Sequence, residues 1–271
     1  MKKDVLIGTA IGDIVGSRFE INNCKTGKDF ELFNQYCRFT DDTVMTFAVA
    51  KSLMDCKNEF NSLKDIAINN MVEIGRRYIR CGFGGSFYYW IKNDEHEPYG
   101  SFGNGAAMRI SPVAVFTNDI DQIKEVSACI TNVSHNHEDS IKGSEAVCIA
   151  IHMALNNKTK DEIISYIENN YFKLHEINKN LKSLKEIHIN CIETVKQSLI
   201  AFDESKNYED AIRNAIALGG DSDTIAAITG GIAAAYYGIP DDIYNKALTY
   251  LDSFLINIHD DFYKRIQNTN N

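Results

Sequence analysis

The sequence predicts an all-α fold in a single domain covering residues 1–271. Three observations carry this. Apolar residues recur at helical spacing along most of the chain. Strand signals are weak, with no Asn-Gly or Asp-Gly between alternating apolar runs. The chain holds only 3 prolines and no flexible linker, so no domain boundary suggests itself.

The elements follow in order. The start, MKKDVLIGTAIGDIVGS, loosely resembles a secretion leader. Asp4 and Asp13 interrupt its apolar run and no convincing cleavage site follows, so it reads as the first helix of the fold. After Asp41, TVMTFAVAKSLM has the length and composition of a helix. Ile120, Ile123, Val126 and Ile130 form one apolar stripe. Lys142 to Leu155 is apolar nearly all round and predicts a buried helix. The Lys-, Asn-, Glu- and Ile-rich stretch from Asn157 to His188 carries the spacings Ile163, Ile164, Ile167 and Leu181, Leu184, Ile187, which suit surface helices. Tyr208, Ala211, Ile212, Ala215 and Ile216 form another stripe. Ile225 to Tyr237 is rich in Ala and Gly, which lets helices pack closely. Helix ends are expected near Gly16, Gly82 and Gly238.

Composition narrows the function. The formal net charge of -9 argues against a general nucleic-acid binder, because no basic stripe is available to neutralise phosphates. A nucleic acid is expected only as a modified substrate. Every apolar run is broken before it could cross a membrane. The 7 cysteines are widely spaced and contain no C-x-x-C, the usage of a reducing cytoplasm rather than of a disulfide or zinc framework.

Two acidic motifs raise the question of chemistry. FTDDTV spans Phe39 to Val44, and GGDSDT spans Gly219 to Thr224. Each opens an apolar helix, and taken singly each reads as a helix cap. Residues i and i+2 of a regular helix point about 200° apart, so Asp221 and Asp223 converge only in a loop or first turn, which the preceding glycines permit. Together the motifs supply four carboxylates and three threonine hydroxyls with no Arg or Lys inside either. If they meet in space, each like-charged pair at about 4 Å costs about 1 kcal/mol in water and about 4 kcal/mol at an effective dielectric near 20. Divalent cations would offset this, and an all-oxygen set selects hard ions such as Mg²⁺, Mn²⁺ or Ca²⁺ over zinc.

The same motifs, with GTAIGDIVGSRFE, YGSFGNGAAMRISP (Tyr99 to Pro112) and SHNH (Ser134 to His137), resemble the ADP-ribosylglycohydrolase family in content, order and spacing over nearly the whole chain. The resemblance implies a compact single-domain orthogonal helical bundle around a central dinuclear site of two Mg²⁺ or Mn²⁺ ions. It implies that Thr40, Asp41, Asp42, Asp221, Asp223 and Thr224 hold the metals. Glu20 or Asp42 would be the catalytic carboxylate. Gly100, Ser101, Phe102, Gly103 and Asn104 would cradle the diphosphate and neighbouring ribose, with His135 in the same cleft. Glycine-rich loops suit such a role because they present backbone N–H groups to phosphate oxygens, although a plain turn before a helix from Met108 reads equally well. The implied reaction is hydrolysis of ADP-ribose from a modified protein or small-molecule conjugate, by water attack at the anomeric carbon. Arg109 reads as a phosphate partner or as half of a structural ion pair, and GFGGS at Gly82 to Ser86 as a helix break.

Three rivals are weaker. A prenyl synthase would need further aspartates after DDTVM and a second metal motif. A phosphohydrolase using His135, His137 and Asp139 would need an adjacent His-Asp pair, which occurs only at His259-Asp260. A non-catalytic ADP-ribose-binding relative would be expected to lack one of the six ligands or Glu20, and all are present.

Overall fold

The computed structural model describes residues 1–20, 26–57, 60–176 and 189–269. Among these residues it contains thirteen α-helices, two short 3-10 turns and no strand, beyond the isolated bridges Lys2–Ile239 and Gly103–Asn190.

Two helices form the centre: α1 (Val5–Glu20) and α11 (Ser222–Tyr237). Every residue from Val5 to Ser17 and from Ser222 to Ala235 is buried. A helix apolar all round belongs in a core rather than on a surface. Their small residues explain how close they lie. A Cβ on Gly12 would stand 1.9 Å from the Ala226 carbonyl oxygen, and one on Gly230 2.3 Å from that of Gly8. A Cβ on Gly16 would stand 2.5 Å from the Cα of Asp223. Backbone thus touches backbone along the pair, and Asp13 of α1 is brought beside Asp223 of α11.

The other helices pack around this pair. They are α2 (Asp41–Asp55), α3 (Leu63–Arg77), α4 (Gly85–Lys92), α5 (Val113–Phe116), α6 (Ile120–Thr131) and α7 (Glu138–Leu155). Then come α8 (Lys160–Asn170), α9 (Cys191–Asp203), α10 (Tyr208–Leu218), α12 (Asp241–Leu248) and α13 (Ser253–Thr269). Helices α7, α9 and α10 lie against α11, while α2 bridges α1, α3 and α13. The expected apolar stripes are buried at Ile123, Val126 and Ile130 and at Tyr208, Ala211, Ile212, Ala215 and Ile216.

Three expectations are corrected. Helix α1 continues past Gly16 to Glu20, because that glycine serves close packing and not termination. Helix α3 stops at Arg77, with Gly82 five residues beyond in a connecting segment. No helix starts at Met108; a turn runs to Pro112, which sets the start of the four-residue α5. Ile163 and Ile167 are buried beneath α8, whereas Leu181, Leu184 and Ile187 lie outside the described residues. The six described cysteines are free thiols. Among the described residues, no helix is long and apolar enough to cross a membrane.

Candidate active site

The two acidic motifs do not cap their helices. Thr40 and Asp221 hold the N-cap positions of α2 and α11, yet neither side chain makes a capping bond. Elsewhere Asp119, Thr159, Asn190 and Asn207 all accept from the first turn of their helices. The acidic side chains turn inward. Oxygens of Asp13, Asp42 and Asp223 all lie within 4.8 Å of one another, as do those of Glu20, Asp221 and Asp223, so Asp223 joins two clusters.

Asp13, which sequence reasoning did not single out, organises the first cluster. It is fully buried and accepts four hydrogen bonds. Thr40 donates its backbone N–H to Oδ2 (2.8 Å) and its hydroxyl to Oδ1 (2.6 Å). Thr43 donates its N–H to Oδ2 (3.1 Å) and its hydroxyl to the same oxygen. A hydroxyl has one proton, so Thr40 turns lone pairs toward Asp42 Oδ2, 3.5 Å away. Thr224 donates to that oxygen at 3.3 Å. Asp42 Oδ1 is buried and has no hydrogen-bond partner. The signal available in the sequence was a lone charge between glycines inside an apolar helix, IGDIVG.

The second cluster is tied to the glycine-rich loop. Asn104 Nδ2 donates to Asp221 Oδ2 at 2.6 Å and to Thr194 Oγ1 at 3.1 Å. Gly219 and Gly220 adopt φ of 74° and 82°, which carries the chain from α10 into Asp221. Glu20 stands exposed at the end of α1 beside Asp221 and Asp223.

Burial and mutual repulsion act in one direction here. Desolvation foremost, then neighbouring carboxylates, pushes Asp41 up to about 8 and Asp42 and Asp223 well above the carboxylate range. Glu20 is raised by partial desolvation of its carboxyl and by Asp221. Asp13 is raised by burial against the pull of its threonine donors. No Lys, Arg or His pairs with any of these five groups among the described residues. An orphaned buried carboxylate oxygen, oriented hydroxyl lone pairs and an all-oxygen donor set fit a hard divalent cation.

The carboxylates line a cavity of about 370 Å³. Its walls bring together Glu20, Asp41, Asp42, Asp221, Asp223 and Thr224 with Ser101, Gly103, Asn104 and His135. Three expected residues stand back from the wall. Thr40 faces Asp13, Gly100 donates its N–H to Asn136 Oδ1 (2.7 Å), and the Phe102 ring sits 6.0 Å from that of His137. The loop is braced from behind, where Ser140 Oγ lies 3.0 Å from the Ser101 carbonyl and 3.2 Å from that of Gly103. The GFGGS segment also lines the cavity through Gly82, Gly84, Gly85 and Ser86. A Cβ on Gly82, at φ 125°, would stand 3.0 Å from Asp41 Oδ1.

The ADP-ribosylglycohydrolase family profile matches residues 3–271. The chain belongs to the ADP-ribosylglycohydrolase family. Its enzyme class is that of a hydrolase of ADP-ribosyl glycosidic bonds. The chain is 26% identical to an ADP-ribosylarginine hydrolase, Tri1, of Pseudomonas putida, over 88% of this chain and 70% of that protein. It is 24% identical to the ADP-ribosylhydrolase ARH3 of Gallus gallus, over 86% and 84% of the two chains. A solved structure described as an ADP-ribosylglycohydrolase-related protein complex superposes with a TM-score of 0.71 at 19% identity, covering 97% of this chain and 96% of that one. That likeness speaks for the fold. Within this ADP-ribosylglycohydrolase, the acidic clusters lie where a metal could bind.

Proposed function

We propose that this protein removes ADP-ribose from a modified protein side chain or small-molecule conjugate, using two divalent cations, Mg²⁺ or Mn²⁺. One observation carries the reading. Carboxylates from α1, α2 and α11 converge without a basic partner among the described residues, in a cavity that a glycine-rich loop also lines. In this reading Thr40, Asp41, Asp42, Asp221, Asp223 and Thr224 hold the cations. When bound, such cations supply Lewis acidity and lower the pKa of a water.

The chain's own groups do the rest. Ser101, Gly103, Asn104 and His135 would hold the diphosphate and adjoining ribose, leaving the distal anomeric carbon at the carboxylates. Glu20 is better placed than Asp42 to take a proton from water. It stands exposed at the cavity, whereas Asp42 is 2% exposed and accepts from Thr224. Its raised affinity for protons, from partial desolvation of its carboxyl and from Asp221, brings it closer to the operating pH of a general base. The ring oxygen's developing positive charge would be favoured by the surrounding carboxylates. Residues 1–271 would act as one catalytic unit in the cytoplasm. The arginine linkage named for the Pseudomonas relative is the first acceptor to try.

The test is release of free ADP-ribose from arginine-linked, serine-linked, O-acetyl and nucleic-acid-linked conjugates, with Mg²⁺ and with a chelator. Metal-dependent release from at least one supports the reading. Binding of ADP-ribose with no release from any would contradict hydrolysis and favour a non-catalytic binder.

A further inference from the structure

Arg109 is the largest side chain wholly withdrawn from solvent, and it has no carboxylate partner among the described residues. The structural ion pair allowed by the sequence is therefore not formed. Its Nη2 donates to Ser134 Oγ at 2.8 Å, and its guanidinium carbon lies 5.2 Å from the centroid of the Phe87 ring. Nε and Nη1 have no hydrogen-bond partner. Burial lowers its pKa only to about 10, so it carries its charge at neutral pH. A buried cation left this bare is costly unless something else answers the charge.

Ser134 Oγ also lies 2.8 Å from His135 Nδ1. The direction of this bond follows from proton counting. A guanidinium has donors only, so Ser134 accepts from Arg109. Among the described residues Nδ1 is the only acceptor within reach of the serine's single proton, and burial with the nearby Arg109 charge disfavours a protonated imidazole, so the serine donates and Nδ1 accepts. His135 is thereby neutral and carries its proton on Nε2. Nε2 faces the loop, where a Cβ on Gly105 would stand 3.1 Å away and one on Gly103 3.8 Å. The ring is held between Phe87 and Tyr99, at centroid distances of 6.1 and 5.5 Å. The Tyr99 N–H is fastened to the Ser134 carbonyl at 3.1 Å.

We propose that Arg109, acting through Ser134, is a positioning residue that locks His135 as an Nε2–H donor toward the glycine loop and sets the charge of that wall for a diphosphate group. The identity of the anion rests on the function proposed above; the lock does not. Arg109 belongs to the cavity lining although its side chain is fully buried, and it polarises the chain of donors that ends at Nε2. The cavity lining thus carries both a buried cation, Arg109, and the carboxylates, matching a ligand that is anionic at its diphosphate and becomes cationic at its anomeric carbon.

The test combines nitrogen-15 histidine spectra with binding. In the wild-type protein, one imidazole, identified by its loss in His135→Gln, should show the Nε2–H tautomer alone. In Ser134→Ala that signal should shift toward tautomer exchange. ADP-ribose should bind about 10-fold or more weakly, as for loss of a hydrogen bond to a charged group, while adenosine affinity changes less than about twofold. Ser134→Thr, which keeps the hydroxyl, should restore both. Arg109→Lys is the second variant, but a core substitution there risks the fold, so Ser134→Ala decides. An unchanged tautomer in Ser134→Ala, or equal weakening of ADP-ribose and adenosine, would overturn the lock. Failure of the wild type to bind ADP-ribose would instead sink the proposed function, and the ligand-free spectra would still judge the lock.

Discussion

Asp4 immediately precedes the central helix α1 and Asp13 lies in its middle, both are buried, and the fold treats them in opposite ways. Asp4 is surrounded by donors. Its Oδ1 accepts the Ile7 N–H (3.0 Å), and its Oδ2 meets His259 Nε2 (2.7 Å) and the Tyr244 hydroxyl (3.0 Å). His259 also meets Asp260 at 2.8 Å, and its pKa, lowered by burial, is carried above the usual value by these two aspartates. The group is internally satisfied and fastens α1 to α12 and α13. Asp13, by contrast, has hydroxyl and amide donors but no cation, and its neighbours Asp42 and Asp223 add charge of the same sign. A satisfied buried acid is a fastening. An unsatisfied set, held together by backbone-to-backbone helix packing, has the chemistry to hold positive charge.

Four substitutions and conditions would break or sharpen this contrast. The largest effect is expected for Asp223→Asn, which removes the carboxylate common to both acidic clusters. Hydrolysis should fall by about 100-fold or more, since metal-borne stabilisation is worth several kcal/mol, while the helical circular dichroism is retained. Near-normal turnover would refute the assignment. Asp4→Ala should do the reverse. It leaves His259 Nε2 without its partner and costs about 3 kcal/mol, lowering the melting temperature by roughly 6–12 °C, with kcat nearly unchanged in the folded fraction. Asp13→Asn should leave every ligand in place but lose its grip on the hydroxyls of Thr40 and Thr43. Divalent-cation affinity, read by calorimetric titration, should weaken about 10- to 100-fold. The smallest effect is in pH. An acid whose folded pKa is raised contributes stability that is full below its unfolded value and lost as pH rises toward the folded one. For Asp41 that window runs from 3.8 to about 8. In chelator the melting temperature should therefore decline across it, and saturating Mg²⁺ should flatten the decline. The part remaining above pH about 6.5 belongs to His259, whose raised value gives the same sign.

The fold class and the core helices were readable from sequence because periodicity and small-residue runs act locally. GGIAAAYYG could only be a helix made for close packing, and α11 is that. The convergence of FTDDTV with GGDSDT entered the sequence reading only as a condition, and the family resemblance supplied it. Other features were not. Gly16 looks like a helix stop, and only the approach of α11 shows that it is a packing glycine. Asp13 gives no sign of its partners, which lie 27 and 30 residues away in the chain. The cavity-lining role of Gly82 to Ser86 and the orphaned state of Arg109 depend equally on what tertiary structure places opposite them.

The central claim, that the converging carboxylates exist to hold cations, is tested most directly by melting wild type and Asp42→Asn in chelator and in excess Mn²⁺ or Mg²⁺. Asp42→Asn removes repulsion and an unpartnered buried oxygen, so without metal it should melt higher than wild type. With metal at about 100 times its Kd, wild type should gain about 2.7 kcal/mol, or roughly 5–10 °C, and overtake the variant, which gains little. Equal response of the two proteins, or no response of the wild type to either cation, would contradict the claim.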